Sequence, residues 1–149
     1  MFKLSKSSID KLAGVDPRLA AVVKRAIQLS TVDFGVSEGL RTLETQKKYV
    51  AAGKSQTLKS KHLDGDAVDL VAYIDGQVCW ELNVYDNIAD AMAKAGKELK
   101  LPIRWGAAWN VPDITKWNGT MEAAMNGYVD ARRKEGKRPF IDGPHFEIP

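Results

Sequence analysis

Residues 60–73 read SKHLDGDAVDLVAY, and the fold can be predicted outward from this stretch. Its second half, residues 67–73, is rich in strand-forming residues. Side chains alternate along a strand, so Asp69 points to one face while its neighbours Val68 and Leu70 point to the other. The pattern therefore predicts a strand with an apolar core face and a carboxylate on the opposite face.

A second polar face is predicted at the end of the chain. A last short strand is predicted over residues 146–148, and there His145 and Glu147 share the face opposite the core. Gly65 permits a turn that would fold His62 back beside the strand that follows it. If the two strands are neighbours, histidine and carboxylate side chains meet on one surface of the sheet.

The other patterns predict helices packed on a small sheet. An Asp16-Pro17 start opens a helix whose apolar face runs over residues 19–27. Further helices are predicted over residues 42–52 and 81–99 and within 117–135, strands over 33–37 and 103–105, and a polar loop over 53–61. The predicted fold class is α+β, with a small, mainly antiparallel sheet in a single domain spanning residues 1–149.

Composition and charge exclude some classes of partner. The chain has 149 residues and a formal charge of +3, from 22 basic and 19 acidic residues. This excess is too small to indicate nucleic-acid binding, but it suits weak attraction to an anionic polymer. Cys79 is the only cysteine, so no intramolecular disulfide can form, and we interpret it as a small buried hydrophobic residue.

No stretch has the length and apolar character of a signal peptide or of a membrane span. We therefore expect a chain made in the cytoplasm and not inserted stably in a membrane. If it acts outside the membrane, another component must let it out.

The chain contains two histidines, His62 and His145, and both lie close to acidic residues. Zinc binds imidazole nitrogen and carboxylate oxygen, and a catalytic zinc site uses three protein ligands and one water. Isolated histidines are more often structural, but Asp69 lies between Val68 and Leu70, where a buried carboxylate needs a cation or several donors. Spacing alone leaves a metal site and a structural role both open.

Three motifs carry a resemblance to a known family. Residues 60–69 match the pattern S-x-H-x-x-G-x-A-x-D, and Asp142 stands three positions before His145. Residues 39–42, GLRT, are followed by Gln46. The first two motifs resemble the zinc motifs of the D-Ala-D-Ala carboxypeptidase and L-alanyl-D-glutamate peptidase family, and the third resembles a segment lining that family's substrate cleft. Sonic hedgehog and the vancomycin-resistance dipeptidases share this family's fold.

The resemblance is strongest to phage endolysins that cleave L-alanyl-D-glutamate bonds in peptidoglycan. It implies a Zn²⁺ ion held by His62, Asp69 and His145. It also implies that Asp142 is the general base, taking a proton from water and passing it to the leaving amine. Glu147, the other acidic residue beside His145, is expected to orient a ligand or line the cleft.

The same resemblance implies a set of substrate-binding residues. Arg41 is expected to stabilise the oxyanion or bind a substrate carboxylate, although a surface ion pair is its alternative reading. Further substrate contacts are expected from Ser60, Gln46 and Trp105, and Trp109 is a second candidate for the cleft wall. Residues 107–137 contain no functional motif that we can assign.

Other functions fit parts of the sequence. A D,D-carboxypeptidase acting on wall peptides would use the same zinc motifs, and a non-catalytic zinc-containing wall-binding module would need the ligands but not Asp142. A glycosidase with Asp64 and Asp66 as its paired carboxylates would leave both histidines unexplained. For the phage lysin we expect a monomer without a separate wall-binding domain. It would accumulate in the host cytoplasm and reach the wall through a separate pore-forming protein.

Overall fold

The computed structural model describes residues 1–55 and 59–149. Its helices are α1 Lys6–Lys11, α2 Pro17–Leu29, α3 Leu43–Ala51, α4 Leu82–Leu99 and α5 Met121–Lys134. Its strands are β1 Asp33–Glu38, β2 Ala67–Ile74, β3 Gln77–Cys79, β4 Arg104–Trp105 and β5 His145–Glu147. Short 3₁₀ turns cover Lys61–Asp64 and Ile114–Lys116. The predicted loop over 53–61 includes residues 56–58, which lie outside the described residues.

The strands form one antiparallel sheet in the order β1-β2-β5-β4, with β3 paired to β2. The predicted α+β class, with a small antiparallel sheet and packed helices, is therefore confirmed. The register sets Asp69 of β2 opposite His145 of β5, and Arg104 of β4 opposite Glu147 of β5. Polar side chains of three neighbouring strands thus come together on one part of the sheet.

Capping residues fix where the helices begin. Asp16 accepts a hydrogen bond from the backbone N–H of Arg18 and Pro17 occupies the first turn, as the sequence predicted. Thr42 caps α3 in the same way by accepting from the N–H of Thr45. Arg41 lies in the short connection between β1 and this cap.

The core lies between one face of the sheet and helices α2 and α4. Val68 and Leu70 of β2 are fully buried on this face, as the alternation predicted. Trp105 and Phe146 stack in the same core, with ring centroids 6.3 Å apart. Cys79 lies half-buried against the core. Packing on one face leaves the other face of β2 and β5 free to carry polar groups.

Among the described residues, no helix combines the length and the apolar character needed to cross a bilayer.

Candidate active site

The three predicted ligands meet at one point of the sheet. Asp69 Oδ1 lies 3.2 Å from His62 Nε2 and 3.3 Å from His145 Nδ1. One nitrogen or oxygen of each residue lies within 4.8 Å of the other two. The two imidazole rings meet edge to face, with centroids 5.1 Å apart. The predicted His62, Asp69 and His145 group is therefore present as a cluster that could hold a metal ion.

His62 is fixed by the turn that precedes β2. Gly65 adopts a left-handed conformation with φ of 74°, which closes the 3₁₀ turn and returns the chain to the sheet. The His62 ring is almost completely buried, and its Nδ1 lies 2.8 Å from the Gly39 carbonyl oxygen. A carbonyl can only accept, so Nδ1 donates to Gly39 and Nε2 is directed at Asp69.

The His145 ring is held by a carboxylate, whereas the His62 ring is held by the Gly39 carbonyl. Its Nε2 lies 2.8 Å from Glu147 Oε1, and both side chains are buried. Burial would lower the pKa of His145, but hydrogen bonds to Asp69 and Glu147 outweigh it and raise the pKa to about 9. Glu147 therefore orients the ring and leaves Nδ1 directed at the cluster, as outer carboxylates do for metal-binding histidines.

Asp69 stays ionised at the centre of the cluster. Burial would raise the pKa of its carboxyl group, but the hydrogen bonds to His145 and His62 hold that pKa well below its usual range. The site therefore combines an anionic oxygen with two imidazole nitrogens, all at the floor of a cleft.

The geometry fits a tetrahedral metal site. Zinc binds nitrogen and oxygen at about 2.0–2.2 Å, which sets neighbouring ligand atoms about 3.3 Å apart. The two separations from Asp69 Oδ1, 3.2 and 3.3 Å, agree with that spacing. Both imidazoles also have an outer hydrogen-bond partner that fixes their orientation, Gly39 for one and Glu147 for the other.

Asp142 lies beside the cluster, on the loop that enters β5. Its backbone carbonyl accepts from the N–H of His145, and its own N–H donates to Gly106, so the loop is fixed at both ends. Its carboxylate lines the cleft and makes no hydrogen bond among the described residues. Burial, followed by repulsion from Asp69, raises the pKa of Asp142 above its ordinary value. An uncommitted carboxylate of raised pKa is suited to proton transfer.

Arg41 is a buried residue of the site and not a surface ion pair. Its Nε and Nη2 donate to the two carboxylate oxygens of Glu38, at 2.6 and 2.8 Å. Nη1 donates to Gln46 Oε1 at 2.5 Å, and Nη2 lies 3.7 Å from Asp69 Oδ2. The guanidinium also lies 4.5 Å from the centre of the Tyr49 ring. These contacts fix a cation next to the metal ligands.

These groups line a cleft of about 750 Å³, a volume typical of a ligand site. The predicted residues Ser60 and Trp109 line it, with Trp109 in contact with His145 at 5.5 Å between ring centroids. The indole N–H of Trp109 is buried and has no hydrogen-bond partner in the part of the chain that the structure describes. Residues that the sequence did not identify also line the cleft: Glu38, Tyr49, Lys54, Ser55, Lys59, Lys61, Arg104 and Phe140.

Two of the predicted substrate-binding residues, Trp105 and Gln46, lie in the interior and do not line the cleft. Trp105 is fully buried, its indole N–H donates to the Gly143 carbonyl at 2.7 Å, and its ring packs in the core. Gln46 is also fully buried and contacts Arg41 and Ser55 instead of lining the cleft. The reason is the same for both: the side chain points from its element into the interior. Gln46 acts through Arg41, and Trp109 occupies the cleft wall that we assigned to Trp105.

Two imidazoles and two carboxylates in an open cleft on an antiparallel sheet form a group that could hold a metal ion, the arrangement that metal-dependent hydrolases use. The comparisons with known proteins give the particular family. A model described as phage L-alanyl-D-glutamate peptidase matches residues 1–148. This chain therefore belongs to the phage L-alanyl-D-glutamate peptidase family, and it is a peptidase.

Individual relatives agree with this assignment. The L-alanyl-D-glutamate peptidase of Escherichia phage T5 is 37% identical over 151 residues, covering 99% of this chain and 98% of the relative. The enzyme of the same name from Listeria phage A118 is 29% identical over 73% of this chain, which spans 38% of that longer protein. The crystal structure of Serratia marcescens L-Ala D-Glu endopeptidase ChiX superposes with a TM-score of 0.75, at 35% identity, covering 99% of this chain and 90% of that one.

Proposed function

We propose that this chain is a zinc endopeptidase that hydrolyses the L-alanyl-D-glutamate bond in the stem peptides of bacterial peptidoglycan. The observation that carries the proposal is the His62, Asp69 and His145 cluster with Asp142 beside it in a chain of this family. The ligand types, their spacing and the outer hydrogen bonds favour zinc over cations that prefer all-oxygen sites.

When bound, zinc supplies a Lewis acid for a carbonyl oxygen and lowers the pKa of a bound water to about 7. Asp142 then accepts the proton of the attacking water and later gives it to the leaving amine nitrogen. Its raised pKa supports the second transfer, because a protonated carboxyl group must be accessible near neutral pH. The proton thus moves from water to amine on one carboxylate as the amide C–N bond breaks.

Arg41 is proposed to stabilise the negative charge that develops on the carbonyl oxygen. Its guanidinium is fixed by Glu38 and Gln46, so little reorganisation is needed when the charge appears. Ser60 lines the cleft, and its hydroxyl accepts the backbone N–H of His62. We propose that the Ser60 hydroxyl also contacts the substrate backbone.

Digestion of purified peptidoglycan, with the products identified by mass spectrometry, tests this function. New L-alanine carboxyl ends and D-glutamate amino ends are expected. Release of terminal D-alanine would instead identify a D,D-carboxypeptidase, and new reducing sugars would identify a glycosidase. No product in a metal-loaded sample that binds the wall would support a non-catalytic module.

Elemental analysis of protein purified without added metal tests the cofactor. We expect about one equivalent of zinc, with both zinc and activity largely lost in His62→Ala and His145→Ala. A fully active protein without metal would contradict the proposal.

We further propose that the chain acts as a monomeric phage lysin that reaches the wall from the host cytoplasm through a separate pore-forming protein. Support comes from its relatives in phages T5 and A118, and from a metal cluster contributed by one chain. Light scattering should give the mass of a monomer. Expression in a Gram-negative host should cause little lysis until the inner membrane is permeabilised, and rapid lysis without permeabilisation would contradict the proposed route.

A further inference from the structure

Two arginines flank the metal cluster on opposite sides of the cleft. Across the sheet, β1 leads to Arg41, β2 carries Asp69, β5 carries His145, and β4 carries Arg104. Both arginines line the cleft. Because neighbouring strands are about 4.8 Å apart, each guanidinium is within reach of a short peptide centred on the cluster. The proposed reaction uses only Arg41.

Arg104 is held in place by Trp109. Its Nε donates to the Trp109 carbonyl oxygen at 2.9 Å, Nη2 donates to the same oxygen, and its guanidinium carbon lies 5.2 Å from the centre of the indole. The same indole contacts His145, which brings Arg104 close to the cluster. A guanidinium has five N–H groups, so the two on Nη1 and one on Nη2 are not used in these contacts.

The charges of the two arginines are compensated differently. Arg41 forms a bidentate pair with Glu38 and lies near Asp69. No carboxylate of the described residues lies within 4.0 Å of the Arg104 guanidinium, and residues 56–58, Gln-Thr-Leu, contain none. Its nearest acidic neighbour across the strand pair, Glu147, is bound to His145. Arg104 is thus a half-buried, oriented cation in a cleft, close enough to Glu147 to lower the pKa of that carboxyl group but without a carboxylate in direct contact.

We propose that Arg104 is a specificity-determining residue that binds the free carboxylate of the glutamyl residue at the scissile bond. This inference rests on the proposed function. When the glutamyl nitrogen belongs to the scissile amide and one carboxyl group continues the chain, the other carboxyl group remains free and ionised. It lies a few bonds from the leaving nitrogen, and a guanidinium fork binds a carboxylate through two parallel hydrogen bonds. Arg104 therefore selects a glutamyl leaving group over an uncharged one.

Two muramyl tripeptides that differ in one group test this role. One carries the free glutamyl carboxylate, and the other carries a carboxamide in its place. The zinc-loaded wild-type protein should cleave the carboxylate substrate with a kcat/KM about 10- to 100-fold higher, as expected for a hydrogen bond between charged groups. Arg104→Gln should lose this preference by slowing the carboxylate substrate alone, and Arg104→Lys, which retains the charge, should keep part of it.

The matched control is Arg25→Gln, since Arg25 pairs with Glu98 on an exposed surface and lies outside the cleft. It should keep the wild-type preference. If Arg104 only supports Trp109, Arg104→Gln slows both substrates equally and the preference remains, which overturns the inference. Equal cleavage of both substrates by the wild type also overturns the inference about Arg104, but the proposed function remains. This outcome does not depend on whether Arg104→Gln folds. A wild-type protein that cleaves neither substrate overturns the proposed function itself.

Discussion

At the scale of single residues, His145 can bind either a proton or zinc, so zinc binding depends on pH. Between Asp69 and Glu147 its pKa is raised to about 9 in the metal-free site, so the ring is protonated at neutral pH. Zinc binds the neutral imidazole and must displace that proton. The zinc affinity should therefore rise about tenfold per pH unit up to about pH 9. Titration calorimetry in buffers of different ionisation enthalpy should detect about one proton released per zinc at pH 7.5.

The Glu147→Gln variant provides the control for that measurement. It keeps a hydrogen-bond acceptor for His145 Nε2 but removes one of the three negative charges, those of Asp69, Glu147 and Asp142, that stabilise the imidazolium. The pH at which the zinc affinity levels off should then fall. An affinity independent of pH between 6 and 9 in the wild type would show that His145 is already neutral in the metal-free protein.

Asp142 should be separable from the ligands by mutation. Asp142→Asn removes the proton acceptor but leaves His62, Asp69 and His145 in place. Zinc content and melting temperature should stay close to wild type, while turnover of peptidoglycan falls by about 10²–10⁴-fold, as expected for loss of a general base. Metal analysis and single-turnover kinetics on the same preparation measure both properties.

Glu147→Gln is the matched comparison for Asp142→Asn, since both replace one acidic side chain that lines the cleft. The Glu147 carboxylate is bound to His145, so its loss should weaken zinc binding more than it slows the zinc-loaded enzyme. If Glu147→Gln with full zinc is the slower of the two, Glu147 and not Asp142 transfers the proton.

Site residues could be predicted from the sequence when they belonged to a motif with fixed spacing, and were harder to predict when they did not. His62, Asp69 and His145 could be selected because two histidines lay close to acidic residues and because their motifs resembled the zinc motifs of a known family. Arg104 carries no such signal, since it belongs to none of the three motifs. Alternation also could not assign Trp105 and Trp109, because the cleft wall is formed by a loop after β4 and not by the strand itself.

At the scale of elements, the close contact between the β4 end and the β5 loop positions Asp142. Gly106 donates to the His145 carbonyl and accepts from the Asp142 N–H, both at 2.8 Å. A Cβ atom on Gly106 would overlap the carbonyl oxygen of Asp142 and crowd the His145 side chain. Gly106→Ala should therefore displace the loop and lower the free energy of unfolding by about 1–3 kcal/mol. Because this loop carries Asp142, which is not a zinc ligand, the variant should lose more activity than zinc affinity.

Gly127→Ala is the control, since Gly127 lies in α5 and an added Cβ would meet no atom within 4 Å. Alanine is a better helix former than glycine, so this variant should gain about 0.5–1 kcal/mol and keep full activity. Urea unfolding measures both changes. Equal stability of the two variants would contradict the packing argument at Gly106.

Most elements could be predicted because each carried a local signal. Asp16-Pro17 and Thr42 marked helix starts, and apolar periodicity marked α2 and α4. Helix α1 was missed because its six residues, KSSIDK, contain one apolar side chain. Strand β3 was missed although Asp75-Gly76 has positive φ at both residues, the geometry of a tight hairpin turn; its three residues are too few for alternation to be visible.

At the scale of the whole molecule, the cluster joins distant parts of the chain. His62 comes from a turn in the first half, Asp69 from the central strand β2, and His145 from the last strand β5. The sequence does not show that β2 and β5 are neighbours, since alternation gives the face of each side chain but not the partner of each strand. Only the pairing of Asp69 with His145 turns two separate motifs into one site.

Metal removal should therefore destabilise the whole domain and not the cleft alone. A ligand that binds only the folded state, present at about 1,000 times its Kd, adds about 4 kcal/mol to the free energy of unfolding. For a chain of this size that corresponds to a fall in melting temperature of roughly 10 °C when zinc is stripped by a chelator. Differential scanning calorimetry with and without chelator measures the shift, and added zinc should restore it.

The control for this prediction is His62→Ala, which removes a ligand that lies outside the β2 and β5 pairing. Without chelator, its melting temperature should already be below that of the wild type. Neither chelator nor zinc should change it, because this variant gains no free energy from zinc binding. Asp142→Asn, which retains all three ligands, should show the full chelator-dependent shift. If the wild type melts at the same temperature with and without chelator while losing its zinc, the metal is bound without being coupled to folding, and the ligand segments are held in place by the sheet and core alone.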